Sequence, residues 1–185
     1  MQTNHIAILV RNIDAVSRTL PDSCTKHALE EQPAEGTLEQ YITAGDDKVP
    51  AILLMQAIAD GPYRRALKKR GTGLHHVGCV CSNIEKEITS GSAKHLLLHP
   101  ISLQSYKHGT VWLCRPGLPY LIELNQSPEQ DAIPHEKALL LLPATTNIPE
   151  YACGISSNLI LKTAEKSSIV IRVGGIEITI DPNTG

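Results

Sequence analysis

The chain has 185 residues, 42% of them hydrophobic and 19% charged, which fits one domain or a pair of closely packed half-domains and excludes general disorder. A net charge of −2 gives no electrostatic drive toward nucleic acid or anionic membranes, and Lys68-Lys69-Arg70 reads as a solvated helix end. With no Phe and a single Trp, the core has to be built from Leu, Ile, Val and Ala.

The first element is the apolar run HIAILV at 5–10, rich in β-branched residues and predicted to be a strand buried on both faces. Asn12 offers a side-chain cap, and Ile13, Val16 and Leu20 stand at helical spacing until Pro21 stops the pattern. Three strands are expected next, around TKHALEE, GTLEQYITA and VPAILLMQAI, separated by the turn-forming QPAEG and GDDK. DGPYRRALKKRGTG predicts a short helix entered through Pro62 and ended by glycine.

From Leu74 the same order returns. A strand, LHHVGCVC, is followed by a helix, NIEKEITSG, capped by Asn83. Three strands are expected after it, in KHLLLHPIS, GTVWLCRPG and PYLIELNQ. His5 lies over His76, Asn12 over Asn83, Ile13 over Ile84 and Asp14 over Glu85, with one offset throughout, 76 − 5 = 71. The chain is therefore expected to hold two β-α-β-β-β modules, at about 1–60 and 74–127, joined by a helix at 61–73. Residues 128–185 form a β-rich C-terminal extension of unassigned role, opened by the linker SPEQDAIP and closed by a hairpin turning at Gly174-Gly175.

The five cysteines are odd in number and contain no C-x-x-C, so Cys79 and Cys81, inside a strand-like run, read as buried free thiols. The N-terminus lacks the pattern of a secretory leader, and no apolar run approaches the roughly 18 residues of a membrane span. A reduced cytoplasm is the expected location.

A duplicated β-α-β-β-β module opening on His resembles the vicinal oxygen chelate superfamily, which includes glyoxalases, methylmalonyl-CoA epimerases, ring-cleaving dioxygenases and resistance proteins. GPYRRALKKRGTGLHHVG is similar to the inter-module helix and Leu-His-His start of the epimerase-like branch, and TVWLCRPGLPYLIELNQ to its closing hairpin. The resemblance covers roughly residues 4–127. It implies an α+β fold whose two modules curl into one open barrel-like cleft with a divalent metal on the floor. Carried onto this sequence, the ligands would be His5, His76 and Glu123. The activity implied is that of an isomerase or lyase acting on a small carbonyl or thioester substrate through an enediolate or enolate.

Strand alternation agrees with that set in part. It places His5 with Ala7 and Leu9, His76 with Gly78 and Val80, and Glu123 with Leu121 and Asn125. A carboxylate in so apolar a strand is costly unless a cation or donor meets it. Two neutral imidazoles and a carboxylate suit a divalent ion, with Zn, Ni, Co, Mn and Fe all open. His75 is expected on the opposite face from His76, and the five remaining histidines receive no role.

The pattern departs from the family in two places. The fourth ligand, Gln or Glu from the last strand of the first module, aligns with Ile52, and Gln56 stands roughly 13 Å farther along. The loop carboxylate that serves as base aligns best with Glu35, one residue out of register, while Glu123 could combine ligand and base. A two-His-one-carboxylate site also admits a non-haem iron dioxygenase, and a metal-free binding cleft is the non-enzymatic alternative. The expected partner is a small molecule, with neither nucleic acid nor membrane; a basic rim for CoA could come from Arg64, Arg65, Lys68 and Lys69. A homodimer stays open.

Overall fold

The computed structural model describes residues 1–45, 48–89, 95–127 and 134–184. The expected turn at 46–47, the helix end at 90–91 and the linker at 128–133 lie outside the described residues. Strand β1 (Gln2–Val10) buries every residue from His5 onward, as its β-branched run requires. Helix α1 (Ile13–Ser17) starts where Asn12 Oδ1 accepts the Ala15 N–H at 2.8 Å, and it ends three residues short of Leu20. Three strands follow, β2 (Cys24–Gln32), β3 (Thr37–Ala44) and β4 (Ala51–Ala57). Helix α2 (Pro62–Arg70) closes at Gly71, whose φ of 74° is a conformation that glycine alone adopts without strain.

The second module repeats the plan. Strand β5 (Gly73–Cys81) leads to α3 (Ile84–Thr89), capped by Asn83 Oδ1 on the Lys86 N–H at 2.7 Å. Then come β6 (Leu97–Leu98), α4 (Ser102–Ser105), β7 (Thr110–Cys114) and β8 (Leu121–Gln126). Here the expected strand across KHLLLHPIS shrinks to two residues. Pro100 has no N–H for a ladder, and Ser102 Oγ takes over, accepting the Trp112 N–H at 2.8 Å and donating to the Trp112 carbonyl at 2.9 Å.

All eight strands make one sheet in the order β2-β3-β4-β1-β5-β8-β7-β6. Its centre is the antiparallel pair β1 and β5, and each of these runs parallel to the last strand of its own module, β4 or β8. The halves are thus related by a pseudo-twofold between the two histidine-bearing strands. One sheet face carries Ile6, Ile8, Val10, Val77 and Cys79 under α1 and α3. The other carries Ala7, Leu9, Leu53 and Met55, on which α2 lays Tyr63, Ala66 and Leu67.

The C-terminal residues form a separate four-stranded sheet, β10-β9-β11-β12, from β9 (Ala138–Pro143), β10 (Leu159–Ala164), β11 (Ile169–Val173) and β12 (Ile176–Ile180). Gly174 and Gly175 turn the last hairpin with φ of 56° and 76°. Leu140, Ile171 and Ile178 of this sheet join the first core cluster. Polar groups set its register: a ladder shift between Thr3 and His5 frees backbone groups of β1. Asn158 Oδ1 then accepts the Thr3 N–H at 2.6 Å, and Asn158 Nδ2 donates to the Thr3 carbonyl at 3.0 Å. No helix among the described residues is long and apolar enough to cross a membrane.

Candidate metal centre

The two central strands pair so that His5 stands opposite Gly78 and His76 opposite Ala7. Each imidazole therefore leans over a partner with little or no side chain. The ladder between β5 and β8 places Glu123 beside Gly78, on the same face. The three side chains converge. His5 Nε2 and His76 Nε2 lie 3.1 Å apart, and Glu123 Oε2 is 3.4 Å from the first and 3.6 Å from the second. Both rings are buried, and the carboxylate is 18% exposed, so the centre meets solvent along Glu123.

The outer nitrogens decide which lone pairs face inward. His5 Nδ1 is 3.1 Å from Asn4 Oδ1, an oxygen that can only accept; a ring proton on Nδ1 is met there, and with it Nε2 is bare. His76 Nδ1 is 3.0 Å from His75 Nδ1, so it has a partner for the proton that frees its own Nε2. Burial, with the neighbouring His5 and His75, pushes His76 well below the ordinary imidazole range and keeps it neutral. Two bare nitrogens and a carboxylate oxygen aimed at one point repel unless a cation lies among them. Bonds of roughly 2.0–2.2 Å at tetrahedral to octahedral angles place donors about 2.8–3.6 Å apart, the spacing found. The donor set fits a divalent ion. Among the described residues it is the one group of three such donors within 4.8 Å of one another.

His75 is not on the opposite face. A second ladder shift, between Ala7 and Ile8, turns it onto the side of His76, where Tyr63 covers it at a ring separation of 4.8 Å. Burial first, then the charge of Arg70, lowers its pKa to about 4, with Glu123 opposing.

The missing fourth donor is also relocated. Ala7 pairs with Leu53 as Gly78 pairs with Glu123, so the position equivalent to Glu123 is Leu53, not Ile52. Ile52 faces the other core. Gln56 is no substitute: its Oε1 accepts the Ile13 N–H at 2.9 Å, just as Gln126 Oε1 accepts the Ile84 N–H at 3.2 Å in the second module.

Cross-strand pairing supplies the walls. Tyr41 pairs with Leu53 and presents its ring edge-on to His5 at 5.9 Å; Trp112 pairs with Glu123 and meets His76 edge-on at 5.0 Å. Glu39 pairs with Met55 on this same face. It is half-buried, holds a 2.8 Å hydrogen bond from Thr37 Oγ1, and burial together with the charges of Glu35 and Glu123 raises its pKa. Glu35 is exposed at the turn before β3, and its carboxylate accepts the Tyr63 hydroxyl. Sequence reasoning missed Glu39, Tyr41 and Trp112. Alternation along GTLEQYITA does group Thr37, Glu39 and Tyr41, yet only the register of β3 on β4 shows which face they share.

No protein-family model and no curated protein matches this chain. Solved structures do match in fold. A hypothetical protein, BH1468 from Bacillus halodurans C-125, is 22% identical, with 70% of this chain and 96% of that one covered and a TM-score of 0.51. The methylmalonyl-CoA epimerase of Mycobacterium tuberculosis is 18% identical over 71% and 91% of the two chains, at a TM-score of 0.52. A variant of the Streptomyces coelicolor methylmalonyl-CoA epimerase, in complex with 2-nitronate-propionyl-CoA, is 17% identical over 70% and 99%, also at 0.52. The doubled β-α-β-β-β sheet, its paired opening histidines and these likenesses agree: the chain carries the fold of the vicinal oxygen chelate superfamily, in the form seen in methylmalonyl-CoA epimerases.

Proposed function

We propose that the protein is a metal-assisted isomerase that moves a proton next to the carbonyl of a small acyl thioester. The observation that carries this reading is the convergence of His5 Nε2, His76 Nε2 and Glu123 Oε2 within 3.1–3.6 Å. A divalent ion held by these three residues supplies a Lewis acid for the substrate's oxygens. The chain's own residues do the rest. Asn4 and His75 orient the two imidazoles; Tyr41 and Trp112 wall the site and limit water. Glu39 stands ahead of Glu35 as the favoured base, since burial raises its pKa and makes it the stronger proton acceptor of the two kinds of carboxylate, half-buried and exposed. Glu123 faces the same space and is the second carboxylate available for that exchange. The exposed cations of α2, Arg65, Lys68 and Lys69, are available to the phosphates of a CoA thioester, the ligand class carried by the epimerase structures of like fold.

A second reading has its own support. With Leu53 where a fourth donor would stand, the set is two imidazoles and one carboxylate, the face used by non-haem iron oxygenases. The test separates the two. Purified protein is loaded with Co, Ni, Mn, Zn or Fe(II), its metal content measured, and solvent deuterium uptake at the α-carbon followed with methylmalonyl-CoA and shorter acyl-CoA probes. One retained ion per chain and exchange abolished in His76→Ala support the isomerase. Oxygen consumption with Fe(II) in place of exchange supports the second reading. Neither metal retention nor exchange removes both.

A further inference from the structure

A cavity of about 400 Å³ opens where the turn between α2 and β5 meets the four-stranded sheet. That size suits a small molecule. Its polar wall carries Arg70, Thr72, His75, Lys166 and Ser167, and its apolar side includes Leu9, Leu142 and Ile169. Two cations face one carboxylate, that of Glu165. One Arg70 amine is already tied to the Pro119 carbonyl at 2.8 Å, which holds the guanidinium in place and leaves its other N–H groups to a ligand. Thr72 is 7% exposed, and its hydroxyl has no hydrogen-bond partner among the described residues. The cavity thus combines fixed positive charge, an unsatisfied hydroxyl and an apolar floor.

His75 connects this cavity to the metal centre. It lines the cavity, while its Nδ1 lies 3.0 Å from His76 Nδ1.

We propose that this cavity is a second ligand site, for a small organic anion with a short apolar body, set beside the metal centre. The anionic group meets Arg70, Lys166 and the Thr72 hydroxyl; the apolar body rests on Leu9, Leu142 and Ile169.

The test uses the full chain without metal, so its failure leaves the metal centre and the isomerase reading untouched. Hexanoate and hexyl phosphate are titrated as probes, with hexanol as the neutral control, and binding is read by calorimetry. Long-range ¹H–¹⁵N spectra follow the imidazole of His75, which lines the cavity. Saturable binding of the anions is expected, weakened roughly tenfold or more in Arg70→Ala and Lys166→Ala, which change exposed side chains. The His75 signals should move on binding. In Thr72→Val, anion binding should weaken while the fold persists, because the substitution is nearly isosteric. Hexanol binding as tightly as the anions, anion binding indifferent to both cation variants, or binding that leaves the His75 signals unchanged would overturn the proposal.

Discussion

The imidazole of His5 occupies the space that a side chain at residue 78 would fill: a Cβ built on Gly78 collides with the His5 ring. Glycine is thus required at 78 to seat a histidine from the neighbouring strand, and its absent side chain is part of the site's shape. Gly78→Ala should push the ring off its position and lower metal affinity by roughly 10–100-fold, the scale seen when a ligand loses its support. Overpacking should also cost about 1–3 kcal/mol. Chelator competition and thermal unfolding measure both. Gly73→Ala, on the same strand with nothing within 4 Å of an added Cβ, is the control and should retain the metal.

Leu53 is the mirror of Glu123 across the pseudo-twofold, and it is 4% exposed in an apolar cluster. Leu53→Gln should have opposite effects with and without metal. In EDTA the unpaired buried amide should cost about 1–3 kcal/mol. With Ni, Co or Zn present it becomes a fourth donor, and the melting temperature should rise above that of the metal-loaded parent. Loss of stability under both conditions would show that residue 53 cannot reach the ion.

His75 makes the metal-free protein sensitive to acid. Its folded pKa of about 4 lies below the value near 6.5 expected for the unfolded chain. As pH falls through that window, the unfolded state takes a proton that the folded state refuses, so stability declines. At pH 4.5 the loss from this group should be about 2–3 kcal/mol relative to pH 7. Urea unfolding in EDTA at the two pH values, in the parent and in His75→Gln, isolates it. A variant with the same pH slope as the parent would contradict the assignment.

Gln56 and Gln126 do one job at equivalent places, each closing an N–H at the start of its module's helix. Substituting either by Ala should cost about 1 kcal/mol, in the range of an N-terminal helix cap. The two costs should add, because the sites share no partner. Equilibrium denaturation of the single and double variants checks the sum; strong coupling would mean that the modules communicate through the central strands.

Asn158 anchors the C-terminal sheet to β1 with bonds to Thr3 N, Thr3 O and Pro134 O, the last at 2.9 Å. Asn158→Ala removes the side-chain donor of the Thr3 and Pro134 carbonyls, leaves the Thr3 N–H to Ser156 Oγ alone at 3.0 Å, and should cost about 1–3 kcal/mol. If the second sheet were a loosely attached appendage, hydrogen exchange in β1 would hardly change. Faster exchange at Thr3 is the expected result.

The sequence by itself determined the doubling. A single offset of 71 links His5 to His76 and Asn12 to Asn83, and local chemistry then dictates both strands, both capped helices and the closing glycine hairpin. The repeated histidine and the acid inside an apolar strand were also visible without coordinates, and the structure brings His5, His76 and Glu123 within 3.6 Å of one another. The tertiary structure decided what depends on register between strands distant in sequence. A ladder shift turned His75 toward His76, the pairing of β1 with β4 put Leu53 rather than Ile52 at the place equivalent to Glu123, and the pairing of β3 with β4 set Glu39 on the sheet face of Tyr41 and Leu53. The physical reason is the two-residue period of a strand. One step of register, or one bulged residue, exchanges the face of every side chain beyond it, and that step is set by packing between strands, not by the residues within one.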